Sequence, residues 1–136
     1  MITIAKARIM LKAAPLYAYV PVSDLERARQ FYERRLGLGP GRPEGPGLSF
    51  ACGFGTAFFM YPSEGAGTNQ ASCAFWKVGD LEAVVAWLKS RGVVFEEYDL
   101  PGMKTVDSMF EGGGSKAAWF RDSEGNIMAL VQDLGA

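Results

Sequence analysis

Histidine is absent from all 136 residues. The chain therefore has no imidazole, the side chain that titrates closest to neutral pH and the commonest metal ligand. Cysteine is scarce: Cys52 and Cys73 are the only two. Two thiols make neither a disulfide framework nor a four-thiolate zinc site, and a reducing cytoplasm is the expected location. Charge of one sign is also lacking. Fourteen basic and fifteen acidic residues leave a formal net charge of −1, so no basic face is expected and nucleic acid is excluded as the expected partner. No apolar run approaches the roughly 18 residues that would cross a bilayer, so no membrane partner is expected. The opening "MITIAKARIMLKAAP" is broken by Lys6, Arg8 and Lys12, unlike the continuous apolar stretch of a secretory signal. Residues 1–14 read as a loose arm, and Met10 is a second candidate start.

What is present is the balance of an ordinary globular chain, with 49% hydrophobic and 21% charged residues. "PLYAYVPVSDLERARQFYERRLGL" reads as a strand, Leu16 to Val22, entering a helix from Asp24 to Leu36. Ser23 followed by Glu26 has capping-box spacing. Leu25, Ala28, Tyr32 and Leu36 mark an apolar helix face, and Gly37 marks its end. The loop "GLGPGRPEGPG" follows, then short strands near Leu48–Ala51 and Ala57–Tyr61.

The pattern then restarts. "SCAFWKVGDLEAVVAWLKSRGV" is again strand, turn and helix, and "V-x-D-L-E" occurs in both segments. A shift of 56 lays Tyr17 on Cys73, Tyr19 on Phe75 and Asp24 on Asp80. Strands are expected near Val93–Tyr98, Ala117–Arg121 and Asn126–Gln132, the last two joined by "DSEGN". Such a repeat predicts an α+β fold of two β-α-β-β-β modules, residues 15–61 and 71–136, joined by a linker at 62–70. Their mixed sheets would curl around a shared concavity.

"VSDLERARQFYERRLGL", "VGDLEAVVAWLKSRGV" and "AWFRDSEGNIMALVQ" together resemble the vicinal oxygen chelate superfamily: glyoxalase I, the bleomycin-resistance proteins and the extradiol dioxygenases. The resemblance spans residues 15 to 133. It implies a divalent metal held by His, Glu or Gln on the first and last strands of each module. In this chain the four matching positions are Tyr17, Phe59, Cys73 and Ala129. Two have no donor, and a neutral phenol and one thiol do not make a site for a hard cation. The expectation is no metal and no cofactor. Glyoxalase and dioxygenase activity, which need the metal in this family, would require a relocated site.

Strand alternation puts Tyr17 and Tyr19 on one face, with Phe59 and Tyr61, Cys73, Phe75 and Lys77, and Ile127, Ala129 and Val131. Met109 and Phe110, beside the Gly112–Gly114 run, are candidates to cover the mouth, and Trp119 to stack on a ligand. This lining is aromatic and aliphatic with a few polar groups, which suits a small apolar or aromatic molecule. The same residues would also suit a filled core, in a chain that acts only as a structural or regulatory partner. The resemblance to the bleomycin-resistance proteins points to a homodimer that sequesters its ligand unchanged. The balanced charge argues against bleomycin, which is cationic. A metal-independent lyase or isomerase is the alternative, with Cys73 and Glu97 as candidate catalytic groups. Asp24, Asp80, Asp122, Gly125 and Asn126 read as helix-entry and turn residues.

Overall fold

The computed structural model describes residues 3–135. The first fourteen described positions carry two short helices, α1 (Ile4–Arg8) and α2 (Met10–Ala13), both solvent-exposed along their length. Strand β1 (Ala18–Val22) then leads into α3 (Leu25–Gln30). Asp24, not Ser23, caps α3, its carboxylate accepting from the Arg27 N–H at 3.0 Å. Glu26 makes no capping box either; its carboxylate binds Arg29 instead. The expected helix does not run straight to Leu36. It widens into a π-helical turn, Phe31–Arg35, closed by Leu36 N–H donating to the Phe31 carbonyl. Tyr32, inside that turn, is fully buried.

Three more strands complete the first sheet: β2 (Arg42–Glu44), β3 (Gly47–Ala51) and β4 (Ala57–Pro62), in the order β1-β4-β3-β2. Strand β2 was hidden in the glycine- and proline-rich loop. It is an exposed edge, the one sheet position that tolerates Pro43. Gly47 has no substitute where β3 meets β4: a Cβ there would sit 1.9 Å from the Met60 carbonyl oxygen.

The second sheet begins at β5 (Ala74–Lys77) and continues through α4 (Leu81–Ser90), capped by Asp80. A small hairpin, β6 (Asp99–Leu100) with β7 (Met103–Lys104), precedes β8 (Phe110–Gly112), β9 (Ser115–Arg121) and β10 (Ile127–Asp133). The order β5-β10-β9-β8 repeats that of the first sheet, with β1–β4 and β5–β10 parallel and the remaining pairs antiparallel. The strand expected at Val93–Tyr98 shrinks to one bridge, Phe95 with Phe120, because Thr105 and Ser108 draw the following backbone into a loop. The Gly112–Gly114 run makes the β8–β9 turn, with Gly113 and Gly114 both at positive φ.

The helix-facing sides of both sheets share one core: Val20, Val22, Phe50, Phe58 and Met60 from the first, Phe120, Met128 and Leu130 from the second, closed by Tyr32, Leu81, Val85 and Leu88. Among the described residues no helix is long and apolar enough to cross a membrane.

The β9–β10 hairpin also joins the two halves through polar groups. Asp122 accepts from the Tyr32 hydroxyl at 2.6 Å and from the N–H groups of Glu124 and Asn126. Asn126 donates to the Pro21 carbonyl and accepts from the Gly67 N–H. The Glu124 carboxylate, with no solvent-exposed side-chain surface, accepts from the Ser23 and Asp24 N–H groups, the Ser23 and Ser123 hydroxyls and the Arg27 guanidinium. Burial alone would raise its pKa, but these donors outweigh it and hold the pKa down to about 2.

Candidate functional site

The residues facing away from the helices form two aromatic rows. Cross-strand register puts Tyr19 beside Phe59 in the first sheet, and Phe75 beside Ala129 beside Trp119 in the second. Tyr19 and Phe75, related by the shift of 56, remain 68% and 60% exposed. Rings left this open on a strand keep much of their apolar surface uncovered within the chain.

The predicted lining divides between two clefts. One, of about 510 Å³, is bounded by Tyr19, Phe59 and Tyr61, with Glu44, Gly45 and Pro46 at its rim. Its rings are prearranged. Tyr19 meets Tyr61 edge-on at 4.9 Å and Phe59 at 5.7 Å, while Phe59 and Tyr61 lie parallel within 4°. The second cleft, of about 480 Å³, opens where β1 and β5 begin. It brings Tyr17, Cys73 and Phe75 together with Cys52, Thr56, Phe58 and Trp76. Cys52, Thr56, Gly45 and Pro46 come from turns, where strand periodicity gives no facing, and Glu44 ends the edge strand β2 that the sequence pattern hid, so alternation did not find them.

Seven predicted residues lie outside both clefts: Lys77 lines a separate cavity, Ile127 is buried and Val131 half-buried, and the other four are placed as follows. Met109 packs against the core, and Phe110 is half-buried at the start of β8. Trp119 meets Tyr98 edge-on at 5.6 Å. Ala129 is buried in the row between Phe75 and Trp119.

The four positions that match metal ligands do not converge. Tyr17 and Cys73 share one cleft, Phe59 lines the other and Ala129 is buried. Among the described residues no three His, Cys, Asp or Glu side chains come close enough together to hold a metal ion. A phenol, a thiol and two hydrocarbon side chains do not fit a divalent cation.

Nor are the two candidate catalytic groups tuned to neutral pH. Burial, and next the Asp122 carboxylate, push the Cys73 thiol up, and its sulfur lies 3.3 Å from that of Met128. Lys77 is four residues further along the strand, about 13 Å away and too far to favour a thiolate. Glu97 accepts from the Thr105 hydroxyl at 2.7 Å and the Ser108 hydroxyl at 2.9 Å. Those bonds lower its pKa, making it a weaker base. It also faces a different cleft, beside Lys89, Val94 and Phe95.

No family model matches the sequence, and no curated protein matches it. Solved structures do. An antibiotic binding protein from Streptomyces sp. CB03234, TnmS3, is 25% identical; the match covers 88% of this chain and 95% of that one, with a TM-score of 0.63. A glyoxalase/bleomycin resistance protein/dioxygenase from Alicyclobacillus acidocaldarius is 18% identical over 90% of this chain and 92% of that one, with a TM-score of 0.68. A glyoxalase / bleomycin resistance protein from Catenulispora acidiphila DSM 44928 is 22% identical over 87% and 96%, with a TM-score of 0.60. Twin four-stranded sheets in the same strand order, each backed by one helix, together with these matches, give the chain the fold of the vicinal oxygen chelate superfamily, that of the glyoxalase/bleomycin-resistance proteins.

Proposed function

We propose that this protein binds a neutral aromatic small molecule without transforming it, on the sheet face that carries Tyr19, Phe59 and Tyr61. The observation that carries this reading is the ring cluster itself: three prearranged aromatic side chains around an open cleft. Aromatic rings offer large stacking area at low entropic cost, and the two phenols can orient a polar edge. The likeness to an antibiotic binding protein supports the reading. The absence of a fitting metal donor set and the unsuitable ionisation of Cys73 and Glu97 favour holding over chemistry.

A homodimer belongs to the same proposal. A second copy laid over this face would cover Tyr19 and Phe75 and turn the open clefts into an enclosed site. We place the dimer in the cytoplasm, on the strength of its two unpaired cysteines.

Native mass spectrometry of the freshly purified chain tests occupancy and assembly together. The expected spectrum is an ion-free dimer, carrying an organic adduct or taking up added 9-anthracenemethanol, a neutral three-ring probe. Tyr61→Ala should weaken probe binding about tenfold, near 1.4 kcal/mol for one stacking ring. A bound divalent ion at one per chain, or probe binding indifferent to loss of Tyr19 and Tyr61, would overturn the proposal.

A further inference from the structure

On the other side of the second sheet lies a cavity unlike either cleft. It measures about 180 Å³ and is wedged between the residues that follow the π-helical turn and α4. Leu36 and Leu38 form one wall, Val84, Trp87 and Leu88 another, and Trp76, Phe120 and Leu130 the floor, with Lys77 and Val78 at the end of β5 completing the lining. Trp87 marks the seam: a Cβ on Gly37 would come within 2.9 Å of its indole. Arg91 lies over the same ring at 5.4 Å, holding Trp87 across the gap.

We propose that this cavity is a second ligand site, taking a single-ring, uncharged aromatic molecule. Size sets the first limit. An apolar cavity of about 150 Å³ stays dry and admits benzene, so about 180 Å³ suits one ring with a short substituent. Lining sets the second. Apart from Lys77 at the end of β5, every lining residue is aliphatic or aromatic, so most of a charged or strongly polar ligand would lose its water without a hydrogen-bonding partner. A peptide segment is excluded for the same reason, since its N–H and C=O groups would go unpaired. The two indoles, Trp76 and Trp87, favour a flat aromatic ring over a branched alkane of equal volume. The site does not depend on the sheet-face reading. Of its residues only Trp76 also borders the strand-entry cleft, and none borders the Tyr19–Phe59–Tyr61 cleft.

The chain has three tryptophans, and this geometry sorts them. Titrating toluene into the full ¹⁵N-labelled chain should move the indole N–H signals of Trp76 and Trp87 saturably. Trp119, on the opposite face of the sheet, should stay still. Val84→Phe grows a ring into the cavity and should weaken toluene binding by at least about tenfold. Leu38→Trp, from the facing wall, serves the same purpose should the first variant fold poorly. Tyr61→Ala should leave toluene binding unchanged, so failure here is distinct from failure of the sheet-face site. The proposal is overturned if no saturable shift occurs, if Trp119 alone moves, or if binding survives both cavity-filling variants.

Discussion

Cys73 shows how one residue's setting decides its chemistry. It occupies a position that the resemblance assigns to a metal ligand, yet burial and the Asp122 carboxylate keep it a thiol. Its reaction with a maleimide at pH 7 should be slower than that of a free cysteine, and should accelerate only well into alkaline pH. Labelling at the rate of an activated thiolate would reopen the enzyme reading. Glu124 is the reverse case, a buried carboxylate held ionised. Its pKa is depressed from 4.5 to about 2, so its stabilisation is complete above pH 4.5 and is lost as pH falls from there toward 2. Glu124→Gln should cost about 2 kcal/mol at pH 7, a figure reduced for the solvent-facing Arg27. The difference from wild type should shrink as both are unfolded at decreasing pH. An equal loss at pH 7 and pH 3 would show that the charge is not what Glu124 contributes.

At the scale of elements, the sequence was legible where periodicity is strict. Val20 and Val22 are buried and Tyr19 is open, as alternation requires, and Asp24 and Asp80 enter their helices as matching caps. Legibility failed where tertiary partners override local preference. Ser23 has a capping residue's chemistry, but Glu124 claims its hydroxyl from 101 positions away. Strand β2 hid behind prolines that only an edge accepts. Of the candidate site, sequence supplied the rings but not their division into two clefts, because the turns that bound each cleft carry no period. The π-helical turn was also unreadable, and it has a measurable role: it carries Tyr32 inward to Asp122. Tyr32→Phe should cost about 1 kcal/mol in chemical denaturation, the usual net value of one hydrogen bond. Burial, then the Asp122 charge, raise the Tyr32 pKa well above 10. Stability should therefore fall as pH climbs past 10, and phenolate absorbance from this ring should appear only with unfolding.

For the whole molecule, an internal repeat has produced halves that share a core and differ at their surfaces. The first half presents Tyr19, Phe59 and Tyr61; the second presents Phe75 and Trp119 around a small Ala129. Two copies of the chain would bring unlike faces together, so removing Tyr19 and Phe75 together should weaken dimerisation more than either loss alone. Analytical ultracentrifugation reads this directly, and equal association constants for single and double variants would argue against burial of both rings in one interface.

The Glu124 carboxylate has a consequence for how such a chain can change over generations. The hairpin of the second half supplies the acceptor that tethers the start of the first half's helix, and the first half's Tyr32 occupies the hairpin in return. Each half therefore depends on the other for part of its own closure. A recombination event that separated them would release two fragments with unmet polar groups, and neither could be traded into another gene as a self-sufficient unit.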